Sequence, residues 1–308
     1  MYSLSPMSLL YSLVSWFDRS TVKHLRLPFS FFLSPVFLFA LSQSDQINWV
    51  DTLVAFLILH GLVFPSSNGY NSYQDRDETS IGGLKYPPKV TSNLYFATLL
   101  LDIIALLFGL FVSIGFSIMV LIFIVMSRAY SYRQIRLKKY PVIGFLTVFV
   151  FQGAFIYLMA MTAIGGVNWV ILFSENSIIC MSISSLFIGS VYPLTQIYQH
   201  QADKKDGVIS LSYKLGYTGT FVFSGLLFTM AILLLFYYFN LKHMFIPLII
   251  FLLMMLPIIY RLSVWFAKVR KDIINADFDN TMAMNMLTSS IMNLYFLLLI
   301  INRYGNWF

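Results

Sequence analysis

Asn68-Gly69-Tyr70-Asn71-Ser72-Tyr73-Gln74-Asp75-Arg76-Asp77-Glu78 closes a long apolar run and leads into Gly82-Gly83-Leu84-Lys85-Tyr86-Pro87-Pro88-Lys89. The run before it is long enough to cross a bilayer, which takes about 20 mostly apolar residues. Amides and carboxylates at the end of such a span are costly and mark a functional site by default. A second cluster, Tyr198-Gln199-His200-Gln201-Ala202-Asp203-Lys204-Lys205-Asp206, ends another apolar run far downstream. The two clusters read as two halves of one site.

The rest of the chain supplies the membrane setting. Of its 308 residues, 58% are hydrophobic and 11% charged, against about 25% charged in soluble domains. Too few charges remain to solvate a globular surface, so the fold expected is an all-α integral membrane bundle around a central cavity. Nine spans are expected, at roughly residues 27–43, 48–71, 92–112, 114–130, 141–163, 177–198, 215–239, 244–262 and 284–302. The third and fourth meet in a tight connection near Ser113–Gly115. Gly144, Gly153, Gly189, Gly216, Gly219 and Gly225 lie in or beside spans, where small residues let helices approach closely. Most of the 30 Phe and 19 Tyr are expected on lipid-facing surface and in the interfacial belts. Residues 1–20 lack the pattern of a cleavable signal, and residues 1–24 read as an interfacial lead-in to a single domain covering 1–308.

Charge sets the orientation. With the N-terminus inside, all but two of the 20 Lys and Arg residues fall on one face, and only Lys242 and Arg303 fall on the other. This bias assigns the crowded face to the cytoplasm and accounts for the net charge of +7 without nucleic acid. Both polar clusters follow even-numbered spans, so both emerge on that face. The expected location is a bacterial inner membrane, with the site toward the cytoplasm.

Asn71 and Asp75 are four residues apart, and Asn68 lies three before Asn71, so all share one side of a helix end. Gln199 and Asp203 repeat the spacing, and Gln196 and Tyr192 continue that face. Oxygen donors with few carboxylates suit Mg²⁺, which binds through one or two carboxylates plus substrate phosphates. Asn71, Asp75, Gln199 and Asp203 are therefore the candidate metal ligands. The single cysteine, Cys180, and the scattered histidines supply no soft-metal cluster.

These features resemble the UbiA superfamily of intramembrane prenyltransferases. That family carries N-x-x-x-D-x-x-x-D after helix two and D-x-x-x-D after helix six. Asn71 through Asp75 matches the start of the first motif, and Asp203 matches the last acid of the second. Leu25-Arg26-Leu27-Pro28-Phe29, Tyr130-Ser131 through Arg136-Leu137-Lys138, and Asp206-Gly207 through Leu215-Gly216 also look like family segments. The resemblance runs from about residue 25 to 302. It departs at Thr79, which stands at the third acidic position of motif one, and at Gln199, which stands at the first acidic position of motif two.

The resemblance implies a Mg²⁺-dependent transfer from a prenyl diphosphate to a lipophilic acceptor of aromatic, quinone-precursor or carotenoid type, through an allylic carbocation. The catalytic residues would be Asp75, Asp203 and Asn71. Lys85, Arg128 and Lys138 would contact the diphosphate, with Asn68 beside them, while Tyr70, Tyr73, Tyr130 and Tyr192 could face the cation. Asp102, mid-span in helix three, would orient an acceptor hydroxyl, act as a base, or bond a neighbouring helix. His60 reads as a buried structural histidine, and His200 points off the Gln199/Asp203 face. Membrane lipid is the surrounding partner. Two other readings fit the same residues: a cyclase that needs no external acceptor, and an isoprenoid-binding or transport-type membrane protein without catalysis.

Overall fold

The computed structural model describes residues 15–166 and 168–305. Residues 1–14, most of the expected interfacial segment, lie outside the described residues. Nine helices in the described chain are long and apolar enough to cross a membrane: α1 Arg19–Gln43, α2 Trp49–Asp75, α3 Asn93–Val112, α4 Ile114–Ser131, α5 Pro141–Ile164, α6 Glu175–Lys205, α7 Leu211–Leu241, α8 Phe245–Lys271 and α9 Phe278–Arg303. The protein is a multi-pass integral membrane protein. All nine expected spans are found, but α2 and α6 run on through their polar clusters. Hydropathy ends a span where side chains turn polar, whereas backbone hydrogen bonding continues until something caps it. On α2 the cap is Arg76, left-handed at φ 54°, whose N–H bonds the Ser72 carbonyl.

The described residues gather into two compact units, one of residues 15–30 with 54–136 and one of 31–53 with 137–305.

The first unit is built on α2, α3, α4 and the start of α1. Leu25, Leu94 and Leu101 form an apolar cluster. Gly69 sits against it so closely that an added Cβ would lie 2.8 Å from Thr98 Cγ2. The α3–α4 connection is the single residue Ser113, whose Oγ accepts from the Phe116 N–H at 3.0 Å and caps α4. Beside it Gly109 packs on Ser117, which ties the hairpin shut. Midway along α2 the residues Leu59–Val63 form a π-turn, a local widening that admits one extra residue into the helix.

In the second unit, α5 to α9 pack with the later part of α1. Its core is aromatic: Phe39 lies 5.0 Å from Phe296 and Tyr295 lies 5.0 Å from Phe251, ring centroid to centroid. Tyr157, Tyr295, Phe37, Phe39, Phe239, Phe251 and Phe296 are fully buried, so these rings are core rather than lipid-facing. Within this apolar setting, Ser34 Oγ on α1 donates to Asn293 Oδ1 on α9 at 2.9 Å. Gly153 meets the Ser185 backbone, with only 2.4 Å available between an added Cβ and Ser185 Cα. Gly216 and Gly225, by contrast, face open space. Gly216 serves the backbone instead: at φ 67° and ψ 179° it breaks α7 into two helical parts, a conformation open to glycine.

Candidate active site

The last turn of α2 carries the first motif, and the segment after α4 grips it. Asn71 Nδ2 donates to Ser131 Oγ at 3.1 Å. Arg136 Nη2 lies 3.2 Å from Asp75 Oδ1, with the two side chains only 8% and 6% exposed. Arg133 donates through Nε to the Gln74 carbonyl at 2.6 Å and through Nη2 to the Asp75 carbonyl at 3.2 Å. Arg133 thus holds carbonyls at the end of α2, where the helix has no partners of its own. Arg136 is itself left-handed, at φ 47°. For a non-glycine residue this geometry persists only where the surroundings impose it. The imposing contacts are its N–H to the Tyr132 carbonyl, at 2.7 Å, and its guanidinium on Asp75.

Arg26 performs a similar task from the end of the first turns of α1. Its guanidinium donates to the Asn68 carbonyl at 2.9 Å and to the Gly82 carbonyl at 3.1 Å. The Gly82-Gly83 turn is closed by reciprocal backbone bonds between Ile81 and Leu84, with Gly83 at φ +83° and Phe29 packed on both glycines. This loop is therefore shaped, and it presents Lys85 with its side chain exposed and its carbonyl bonded to Ser80 Oγ at 2.9 Å. Thr79 is exposed. Further along, His24 bonds the Pro88 carbonyl at 2.8 Å and Ser20 bonds that of Lys89 at 2.7 Å. The α2–α3 loop is thereby fastened to α1 along much of its length.

Deeper in the same unit, Asp102 and Arg128 find each other. Asp102 is 6% exposed. Arg128 pairs with its carboxylate through Nη2 and Nε, and Ser66 Oγ donates to it at 2.5 Å. The same guanidinium reaches Ser66 Oγ at 3.1 Å and stands 3.9 Å from the centroid of the Tyr70 ring. A buried charge requires a partner and further hydrogen bonds, and this arrangement supplies both. Arg128 and Asp102 thus meet each other, Ser66 and Tyr70. Tyr70 gives one ring face to Arg128, and Tyr73 lies 5.3 Å from the Tyr95 ring. Tyr130 and Asn68 are half-buried on α4 and α2. His60 bonds the Phe56 carbonyl at 3.1 Å within its own helix.

The second motif is in the other unit. Pro193 lies inside α6, and after Thr195 the chain tightens to a 3₁₀ turn, Ile197–Gln199, before His200–Lys205 resumes as α-helix. Gln199 and Asp203 are both half-buried there. Val208 N–H bonds the Asp203 carbonyl at 2.8 Å, which folds the following segment back on the turn. His200 is buried, with Nε2 2.8 Å from Ser212 Oγ, and so points away from the Gln199/Asp203 side. Tyr192 OH accepts from Gln196 Nε2 at 2.9 Å. Lys138, half-buried in the 3₁₀ turn Leu137–Lys139, packs by its backbone against Gly144.

Arg26, Arg133 and Arg136 were not singled out by sequence reasoning as site residues. Their signal was present only as basic residues in family-like loops, and their roles depend on contacts with residues 42 to 61 positions away. Among the described residues no three His, Cys, Asp or Glu side chains cluster as a metal cage. Each motif by itself offers hard oxygen donors, an amide and one carboxylate: Asn71 with Asp75 on the first unit, Gln199 with Asp203 on the second. Donors of that kind suit Mg²⁺ bound jointly with a diphosphate.

The model of the UbiA prenyltransferase family matches residues 27–287, and the chain belongs to that family; it is an intramembrane prenyltransferase. Among solved structures, a UbiA homologue from Aeropyrum pernix without ligand is similar at a TM-score of 0.67 and 13% identity, covering 88% of this chain and 97% of that one. A UbiA homologue from Archaeoglobus fulgidus bound to DMAPP and Mg²⁺ gives 0.64 at 16% identity, covering 91% and 99%. A digeranylgeranylglyceryl phosphate synthase gives 0.57 at 20% identity, covering 92% and 97%. At these identities the likeness is one of fold. No curated protein matches the chain significantly.

Proposed function

We propose that this prenyltransferase moves a prenyl group from an isoprenoid diphosphate to a lipophilic acceptor, with Mg²⁺ carried in by the diphosphate and the site on the cytoplasmic face of a bacterial inner membrane. The observation that carries this reading is the end of α2, where Asn71 and Asp75 are fixed by Ser131 and Arg136. Family membership and the Archaeoglobus homologue's DMAPP and Mg²⁺ support it.

Asn71 and Asp75 would hold the metal, which when bound neutralises charge developing on the leaving diphosphate; Gln199 and Asp203 are the second motif's candidate ligands. The protein's own residues then have separate tasks. Arg136 holds Asp75 aimed before substrate arrives. Lys85 and Lys138 donate to phosphate oxygens that the metal does not hold. Arg128, fixed by Asp102, acts as a positioning group for Tyr70 at the base of the motif turn. Tyr130 and Tyr192 offer ring faces to the allylic cation, each worth about 0.5–2 kcal/mol.

Purified protein incubated with Mg²⁺ and a panel of prenyl diphosphates tests the reading. Diphosphate release only when an aromatic, quinone-precursor or carotenoid acceptor is added supports transfer. Release without acceptor makes the protein a cyclase, and no release under any condition makes it an isoprenoid binder; either result overturns the proposal.

A further inference from the structure

A polar cavity lies at the other end of α6 from Gln199 and Asp203, roughly 35–40 Å away at 1.5 Å per helical residue. It is enclosed by the ends of α1, α5, α6, α7 and α9 and has a volume of about 630 Å³. That is within the range of roughly 300–1,000 Å³ usual for small-molecule sites. Its lining is two-sided. Tyr157, Met161 and Leu299 give apolar surface, while Gln43, Asn168 and Asn176 give amides.

Its two cations are Lys242 and Arg303. These are the two residues of the chain's 20 Lys and Arg that charge patterning puts on the face opposite the polar motifs. Basic residues are disfavoured on that face, and here both line one cavity. Arg303 Nη2 is 3.4 Å from Asp45 Oδ1, but the Asp45 side chain is fully exposed. Such a pair contributes little and leaves the guanidinium with donors to spare. Lys242 is exposed and stands 5.9 Å from the Tyr238 ring centroid. With two cations and one carboxylate among its described lining residues, the cavity favours an anion.

The rim identifies the kind of anion. The short helix Trp169–Leu172 carries Val170 and Ile171, followed by Phe173, and these are 83%, 54% and 54% exposed. Ile171 lines the cavity. Exposed apolar residues on a short helix beside a polar cavity match a segment lying at the boundary of headgroups and acyl chains. A free anion would have no use for that lip, whereas an acyl chain would lie along it.

We infer that this cavity binds the phosphate headgroup of an anionic phospholipid from the leaflet opposite the polar motifs, through Lys242 and Arg303, with the acyl chains passing over Ile171. The site is independent of the prenyl-transfer reading, and its test reads lipid retention rather than turnover.

Native mass spectrometry of the full chain in detergent, with phosphatidylglycerol, phosphatidylcholine or inorganic phosphate added, decides it. Phosphatidylglycerol should be retained over phosphatidylcholine by about tenfold, the equivalent of one strong contact. Lys242→Gln combined with Arg303→Gln should remove that preference, and Lys271→Gln, at the far end of α8, should leave it intact. Ile171→Asp should also weaken retention, and it decides the matter alone if the double variant does not fold. Equal retention by wild type and these variants would overturn the assignment, as would an equal loss in Lys271→Gln, which would reduce the effect to net charge. Retention of inorganic phosphate with no preference between the lipids would replace the lipid with a free anion and overturn it as well.

Discussion

Arg136 closes on Asp75 across 61 residues of sequence, at 3.2 Å, with both side chains almost wholly buried. Removing one partner of such a pair strands the other charge and costs about 3–5 kcal/mol. Arg136→Ala should therefore lower the thermal midpoint markedly, and Asp75→Ala combined with Arg136→Ala should lose less than the two single changes together. Strictly additive losses would mean that the pair is not coupled. In a turnover assay Asp75→Ala should abolish Mg²⁺-dependent diphosphate release while the protein still expresses.

The second motif makes a separate prediction. Asp203→Ala should abolish turnover, and near-normal activity would remove the second cluster from the proposed site. Gln199→Asp adds a carboxylate where the family pattern has one, so Mg²⁺ titration should show tighter binding. Unchanged affinity would place Gln199 away from the metal.

Asp102→Asn should act through Arg128. The amide keeps the shape but withdraws the charge that balances a half-buried guanidinium, so stability should fall. Arg128→Lys should fall too, because an ammonium cannot match two-point contact with Asp102 while lying over Tyr70. If the pair only supports the fold, kcat should follow the fraction of folded protein. If it positions Tyr70 for substrate, KM should rise at full folding.

Asp18 gives a pH test outside the membrane spans. It caps α1 through the Thr21 N–H at 2.7 Å and accepts from Thr91 and Asn93 at 3.1 and 3.0 Å. Partial burial opposes its charge, but these donors outweigh it and hold the carboxyl below its ordinary value. A depressed carboxyl contributes stability above its unfolded pKa, near 3.9, and loses it as pH falls through the folded value. Asp18→Asn keeps a capping oxygen but loses the charge, so it should be less stable than wild type at neutral pH, and the gap should shrink below about pH 4.

Gly153→Ala would place a Cβ 2.4 Å from Ser185 Cα. Backbone cannot yield as a flexible side chain can, so α5 and α6 must separate, at a cost of about 1–3 kcal/mol. Gly225→Ala, which meets nothing within 4 Å, is the control. A matching loss in both variants would point to helix flexibility instead of packing.

How much of this was readable in the sequence differs from element to element. The spans were legible because an apolar run of sufficient length has few alternatives in a bilayer. The spacing of four correctly set Asn71 and Asp75 on one side of the last turn of α2. The ends of α2 and α6 were not, since polar side chains hide a helix that backbone bonds continue. Arg136 on Asp75 and Arg128 on Asp102 were hidden for another reason: nothing local in either residue's neighbourhood names its partner. Gly216 and Gly153 look alike in sequence, yet one supplies a backbone bend and the other a helix contact.

The π-turn at Leu59–Val63 keeps its effect within its own five residues. An α-helix turns about 100° per residue, so one residue added to a regular stretch would rotate everything downstream by about that angle. The π-turn absorbs that extra residue locally, and α2 still delivers Asn71 and Asp75 to Ser131 and Arg136. Deleting Gly61, around which an added Cβ would find open space, should return the turn to α-helix and leave the motif in register. Two family members could thus differ by one residue in the length of this helix and still present the same motif.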